Sequence, residues 1–365
     1  MSNIFVRSPY FVSVVGSAND TTRVDLYIWN GYGAAPGTPT RVLSKQIPSS
    51  VLIQADYNIS GYVREYLDFA AQQPGTNFAI ADATQEQWCN VIAKTYLNGV
   101  LVETLTHKAF DGYSEYLDGM NYVQTYDVHL NEGTYYYYYD PNGDFSTDDS
   151  IRVGKIQIVT GSVNYSKVKY TNLDTLATTT TNLTSDKVVR VPRILPAYYG
   201  SRVKTELLDD TNAVLGTYYF YPQEECKYNV ITVDFVNRYG AWDRTFMFKA
   251  SRNDLNFKGT DYNLSPEAVN YSDAYGTKQV YNVNYNEGIS CNTGWVDEDY
   301  HLQLRQLLAS ERIIICSSSE FGTDDVLIPV KLRTKQLNVQ KHINDKLINY
   351  TVEFDYAYDG INNVQ

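Results

Sequence analysis

The stretch Val91-Ile92-Ala93-Lys94-Thr95-Tyr96-Leu97-Asn98-Gly99-Val100-Leu101-Val102-Glu103-Thr104-Leu105 decides the fold class. Two runs of strand-forming residues flank Leu97-Asn98-Gly99, and Asn-Gly accepts the left-handed backbone of a two-residue hairpin turn. A hairpin is predicted, with Val91 to Tyr96 as one strand and Val100 to Leu105 as the other. Toward the N-terminus, Val24 to Trp29 alternates and stops at Asn30-Gly31, a second turn dipeptide. Phe5 to Val15 reads as one strand in which Pro9 marks an edge or a bulge. Gly33 to Pro39 is a Gly/Pro/Ala loop, and Val51 to Ala55 a further short strand. Ser60 precedes Tyr62, Val63, Tyr66, Leu67 and Phe69 at helical spacing, which predicts a short helix capped by Ser60. Strands spaced in this way predict a β-sandwich of the immunoglobulin or fibronectin type III kind over residues 1–145.

Toward the C-terminus, Tyr135 to Tyr139 are five consecutive tyrosines followed by Asp140-Pro141-Asn142-Gly143-Asp144, a strand running into a turn and linker. Residues 146–250 carry further strands at Ile156 to Val159, Val168 to Tyr170, Lys187 to Val191, Val203 to Leu208, Val214 to Tyr221 and Val230 to Val236. The polar run Thr178 to Thr181 reads as a loop. Val203-Lys204-Thr205-Glu206-Leu207 with Val214-Leu215 matches the opening hairpin in pattern, so this segment either repeats the first sandwich or is a separate strand-rich unit. Residues 251–365 change character. Asp297, Glu298 and Asp299 open a helix with Tyr300, Leu304, Leu307 and Leu308 on one face. Ile313 to Cys316, Val326 to Leu332 and Leu347 to Tyr356 read as strands around it. The expected fold is mainly β: two immunoglobulin/fibronectin-like sandwich segments followed by a β-rich α+β C-terminal domain.

Composition narrows the function. The 365 residues are 43% hydrophobic and 20% charged, a globular balance, with 34 Tyr. Tyrosine suits strands, and it also supplies rigid, amphipathic contact area, so it either decorates sheet faces or forms contact surfaces. Thirty basic against 42 acidic residues leave a net charge of −12, which argues against phosphate-backbone binding and against a polybasic membrane patch. Lys331, Arg333, Lys335 and Lys341 read as a solvated strand face. Cys89, Cys226, Cys291 and Cys316 are too scattered for a zinc or redox motif and read as small buried thiols. The N-terminus does not read as a secretory signal and no run is long and apolar enough to span a bilayer, so a soluble chain made in the cytoplasm is expected.

Chemistry-bearing patterns are sparse. His107, His129, His301 and His342 stand alone, and no nucleophile elbow, phosphate loop or dinucleotide fingerprint occurs. Alternating oxygen side chains from Asp140 to Asp148 could wrap a calcium ion, but Phe145 and Ile151 stand where an EF-hand loop requires Gly and an acid; an acidic interdomain turn is the preferred reading. Several sequons, including those at Asn58, Asn164, Asn263 and Asn349, read as chance in an Asn/Ser/Thr-rich chain. No cofactor, metal or catalytic residue is assigned. Asn237-Arg238-Tyr239-Gly240-Ala241-Trp242 is the most distinctive string, a sharp turn or bulge between strands. Trp29, Tyr239, Trp242 and Trp295 are the interface candidates, each weighed against a core role.

That string, together with Asn292-Thr293-Gly294-Trp295-Val296, Leu307-Leu308-Ala309-Ser310-Glu311 and Asn344-Asp345-Lys346-Leu347-Ile348-Asn349-Tyr350, resembles virion structural proteins of tailed bacteriophages, those of Bacteroidetes-type hosts. Ser8-Pro9-Tyr10 and Leu26-Tyr27-Ile28-Trp29-Asn30-Gly31 are similar to a sandwich module of the same group. The resemblance implies a tail, baseplate or neck component, not an enzyme, located in the virion. Its partners would be other virion proteins and copies of itself in a ring. The alternatives are a virion receptor- or glycan-binding module, a carbohydrate-active enzyme with an unseen carboxylate pair, and an adhesin, which would need an export signal.

Overall fold

Asn98 and Gly99 take left-handed backbone conformations, φ 49° and 85°, and close the hairpin expected there. Its arms are longer than the pattern marked, Trp88–Leu97 and Val100–Phe110, and Leu97 faces Val100 across the turn. Around it the computed structural model describes residues 2–48, 53–68, 79–83, 85–121, 123–124, 127–139, 141, 153–160, 165–184, 187–225, 227–265, 276–318, 325–338 and 347–361. The protein is mainly β. It forms two compact units, residues 1–224, 234–245 and 309–311 in one, and 225–233, 246–308 and 312–365 in the other.

The first unit opens with β1 (Ser2–Phe5), β2 (Phe11–Val15), β3 (Thr21–Asn30), β4 (Arg41–Gln46), β5 (Gln54–Asn58) and helix α1 (Ser60–Arg64). It continues with β6 (Ala81–Asp82), the hairpin strands β7 (Trp88–Leu97) and β8 (Val100–Phe110), β9 (Val123–Gln124) and β10 (Gly133–Tyr139). Then come β11 (Lys155–Thr160), β12 (Lys167–Asn172), β13 (Thr178–Asn182), β14 (Lys187–Pro192), β15 (Val203–Leu208) and β16 (Val214–Glu224). These strands build sheets of order β4-β3-β7-β8-β1-β9, β10-β16-β15-β12-β13 and β11-β14-β6, with β2 and β5 as a separate pair.

Strands β17 (Ile231–Val236) and β18 (Trp242–Met247) carry residues of both units. The second unit adds β19 (Arg252–Asn263), β20 (Lys278–Asn292), β21 (Val296–Asp297), α2 (His301–Leu308), β22 (Ile313–Ser318), β23 (Asp325–Leu332), β24 (Leu347–Ile348) and β25 (Thr351–Asp359). Its main sheet runs β18-β17-β22-β23-β25-β20-β19. Helix α2 buries Leu304 and Leu307, as its apolar spacing requires, and the strand run Tyr350, Val352, Phe354 turns a buried face inward.

Three expectations change. Phe5 to Val15 is two strands in different sheets, β1 and β2, because Pro9 and the turn before it end one ladder before the next starts. Ser60 begins α1 instead of capping it: Ile59 is the cap, and the Ser60 hydroxyl donates to the Ser8 carbonyl (2.7 Å) and accepts from the Tyr10 amide (2.8 Å). Thr178 to Thr181 is not a loop but part of edge strand β13, paired with β12; four β-branched side chains favour extended backbone even where nothing covers them. The boundary near 145 lies outside the described residues, and the strands on either side of it share sheets. β10 pairs in parallel with β16, and β6 pairs with β14. The expected boundary at 250/251 lies inside the second unit.

Many tyrosines serve the core. Tyr137, Tyr170 and Tyr218 are buried, and each phenol reaches a backbone carbonyl, Ser201 (2.8 Å), Pro192 (2.8 Å) and Leu130 (3.4 Å). A buried phenol needs such a partner.

Candidate assembly surfaces

In the first unit a buried ionic cluster organises the distinctive turn. Arg244 donates to both carboxylate oxygens of Asp234, at 2.6 and 2.7 Å, and Arg193 pairs with Asp243 while donating to the Arg244 carbonyl (3.0 Å). All four side chains are almost wholly buried. Burial beside these cations pushes the Arg190 guanidinium down to about 10. Between β17 and β18, the Asn237 carboxamide oxygen accepts from the amides of Tyr239 (3.0 Å) and Ala241 (3.1 Å). Its amide group donates to the His129 carbonyl (2.9 Å). Gly240, at φ 75°, lies against the backbone of Asp111 and Gly112, where a Cβ would fall 2.7 Å from the Asp111 nitrogen.

This arrangement places the sequence candidates. Trp242 is 5% exposed and belongs to the core. Tyr239 is half-buried, packs against the cluster of Phe5, Trp88 and Phe110, stacks on His129 at 6.1 Å and hydrogen-bonds Asn131. Trp29 is half-buried and donates to the Gly33 carbonyl (2.9 Å), pinning the loop after β3. Trp295 is 58% exposed and lies in the second unit. Tyr239 and Trp242 therefore share one turn, whereas Trp29 and Trp295 lie elsewhere in the chain.

Two of the histidines, His107 and His129, are buried, and burial disfavours their charged form. His129 is enclosed by Phe110 at 4.4 Å and by Tyr239, accepts from the Gln157 amide (2.9 Å), and burial pushes it down to about 3. His107 meets the Ser2 hydroxyl (2.7 Å) and is pushed down to about 4, again by burial. His342 and the oxygen-rich run from Asp140 to Asp148 fall outside the described residues, apart from Pro141. Among the described residues no three His, Cys, Asp or Glu side chains are grouped to hold a metal ion.

Two exposed apolar elements escaped the sequence reading. The first is a single 3₁₀ turn, Tyr116–Asp118, that holds Tyr116 and Leu117 at 96% and 92% exposure. It is braced from both ends. The Asp118 carboxylate accepts from the Glu115 amide (2.7 Å) and from Arg238 (2.9 Å), and the Asn121 side chain bonds both the amide (2.6 Å) and the carbonyl (2.9 Å) of Phe11. Large apolar side chains on a braced turn lose little entropy when a partner covers them.

The second is the hairpin of β19 and β20. Leu255, Phe257, Tyr262, Val280, Tyr281 and Val283 all lie open to solvent along it. β19 stands at the end of its sheet, and its side chains are exposed on both faces for nearly its whole length. Phe257 packs against Tyr285 with the rings tilted, centroids 5.5 Å apart, and Tyr285 covers Gly360. A register shift between Lys258 and Thr260 opens a polar pocket of about 250 Å³ lined by Lys258, Thr260, Asn282, Asn284, Tyr285 and Asp359. The signal for this arm was the alternation of Leu255 and Phe257 with polar residues, which reads equally as a half-buried strand.

The chain matches no protein-family model, no curated protein and no solved structure.

Proposed function

We propose that this chain is a structural subunit of a phage virion, in the tail, baseplate or neck, which works by docking onto other virion proteins and onto copies of itself in a ring. One observation carries the reading: the β19–β20 hairpin offers apolar and aromatic side chains to solvent on ordered strands. Exposed apolar surface of this kind is kept where a partner covers it. The braced Tyr116-Leu117 turn supports the same reading, because pre-organised aromatic anchors dominate interface energy. In this reading the protein has no catalytic role, is made in the host cytoplasm and ends in the particle. Mass spectrometry of gradient-purified virions tests it. The subunit is expected at a stoichiometry of several copies per particle, and its absence removes the reading.

The polar pocket beside Asp359 favours a second reading, a receptor- or glycan-binding module, since amide, carboxylate and phenol groups around a shallow cavity suit sugar hydroxyls. Glycan-array binding that Asn282→Ala or Asp359→Ala abolishes would support it, and an array without signal would sink it.

A further inference from the structure

Among the described residues strand β19 ends its sheet, so one side of its backbone is left to pair with an incoming strand. The residues along that edge read Asp254-Leu255-Asn256-Phe257-Lys258. Reversed, the string keeps its chemistry: acid faces base, Leu faces Phe, and Asn faces itself. In an antiparallel pair, residues directly opposite must both point their backbone groups across the gap or both away from it. For a strand paired with its own copy, this allows only registers in which the two opposing residue numbers add to an even sum. Centring on Leu255 sets Arg252 against Lys258, a like-charge pair. Centring on Phe257 leaves Lys258 opposite Asn256 and Asp254 opposite Thr260. Centring on Asn256 sets Asp254 opposite Lys258 twice and Leu255 opposite Phe257 twice, with charged and apolar pairs on opposite faces.

The surroundings fit that centre. Leu255 and Phe257 are 55% and 68% exposed, so the apolar face is uncovered. Asp254 is already oriented by Arg252 (3.1 Å) and Arg333 (3.3 Å), yet its side chain keeps part of its surface open. The register shift after Lys258 ends the regular stretch just where the match ends.

We infer that β19 pairs antiparallel with the β19 of a second copy of this chain, about a two-fold axis through Asn256. The pair joins two seven-stranded sheets into one and uses up both copies of the edge, so it closes as a dimer and does not propagate. This goes beyond the virion reading and does not depend on it.

Sedimentation equilibrium of the purified full-length chain at low salt tests the pairing. A dimer is expected at about 100 μM chain, weakened about tenfold or more by Lys258→Glu, which turns both ionic pairs repulsive, and similarly by Phe257→Glu. Both substitutions lie on exposed positions, and circular dichroism checks that each variant stays folded. Asp254→Lys alone is also expected to be monomeric, whereas its equimolar mixture with Lys258→Glu restores both pairs and the dimer. A wild-type chain that remains monomeric overturns the inference, as does a dimer that survives both Lys258→Glu and Phe257→Glu. So does a folded mixture that fails to associate. Virion incorporation is read separately by mass spectrometry, so either result can fail alone.

Discussion

Arg244 holds Asp234 by two parallel hydrogen bonds in a site that water does not reach. The pair lies beside the Arg193–Asp243 contact, and with the buried Arg190 close to both, five charges share one buried volume in the first unit. Removing one member strands its partner in low dielectric, whereas removing both members of a pair removes the problem with them.

Arg244→Met is therefore expected to destabilise the fold by about 3–5 kcal/mol. Arg244→Met combined with Asp234→Leu should recover most of the loss. Urea denaturation of the three proteins measures the difference. Equal losses in the single and double variants would refute the account of an uncompensated charge.

Gly240→Ala forces a side chain onto a left-handed residue that touches the Asp111 and Gly112 backbone. The conformational strain alone costs about 1–3 kcal/mol, and the contact adds to it. A lower urea midpoint with an unchanged slope is the expected result. Gly99→Ala has the same left-handed backbone but open space around it, so it isolates the strain from the clash.

Acid should weaken the fold through its histidines. His129 and His107 are held down to about 3 and about 4 from an ordinary 6.5, so below pH 6.5 the unfolded chain takes up protons that the folded chain refuses. Their stabilisation is complete above pH 6.5 and is lost as pH falls toward 4 and then 3. Each contributes up to about 1.4 kcal/mol per pH unit in that window. Stability measured from pH 7 to 4 should fall less steeply in His107→Gln/His129→Gln than in the wild type.

Tyr116→Ser and Leu117→Ser remove side chains that touch almost nothing, so stability should change by no more than about 0.5 kcal/mol. If the turn is an assembly contact, the double variant is expected to be depleted from particles several-fold in complementation. Wild-type incorporation would exclude this turn as a contact.

Local chemistry made the hairpin at Asn98-Gly99 legible, since the turn is decided by the two residues that form it. The Thr178 to Thr181 strand was hidden because polarity and β-branching point in opposite directions, and only the partner β12 decides between them. The parallel pairing of β1 with β8 joins residues more than a hundred positions apart, which no window of sequence reports. The same distance explains the site. Tyr239 and Trp242 read equally as interface or core residues beside a turn, and the backbone of Asp111 and Gly112, which lies against that turn, decides it: Trp242 is buried and Tyr239 half-buried. Leu255 and Phe257 alternate as if one face were covered, yet both side chains are exposed. Tyr116 and Leu117 sit in a single turn, too short for any periodicity to reveal.

The buried thiols give the molecule its own clock for opening. Cys89 lies on β7 in the first unit and Cys291 on β20 in the second, both pushed up to about 12 by burial. A thiol that is neither ionised nor accessible resists alkylation until its strand separates. Labelling rates at these two positions, resolved by peptide mapping, would time the unlocking of each unit separately within one intact chain.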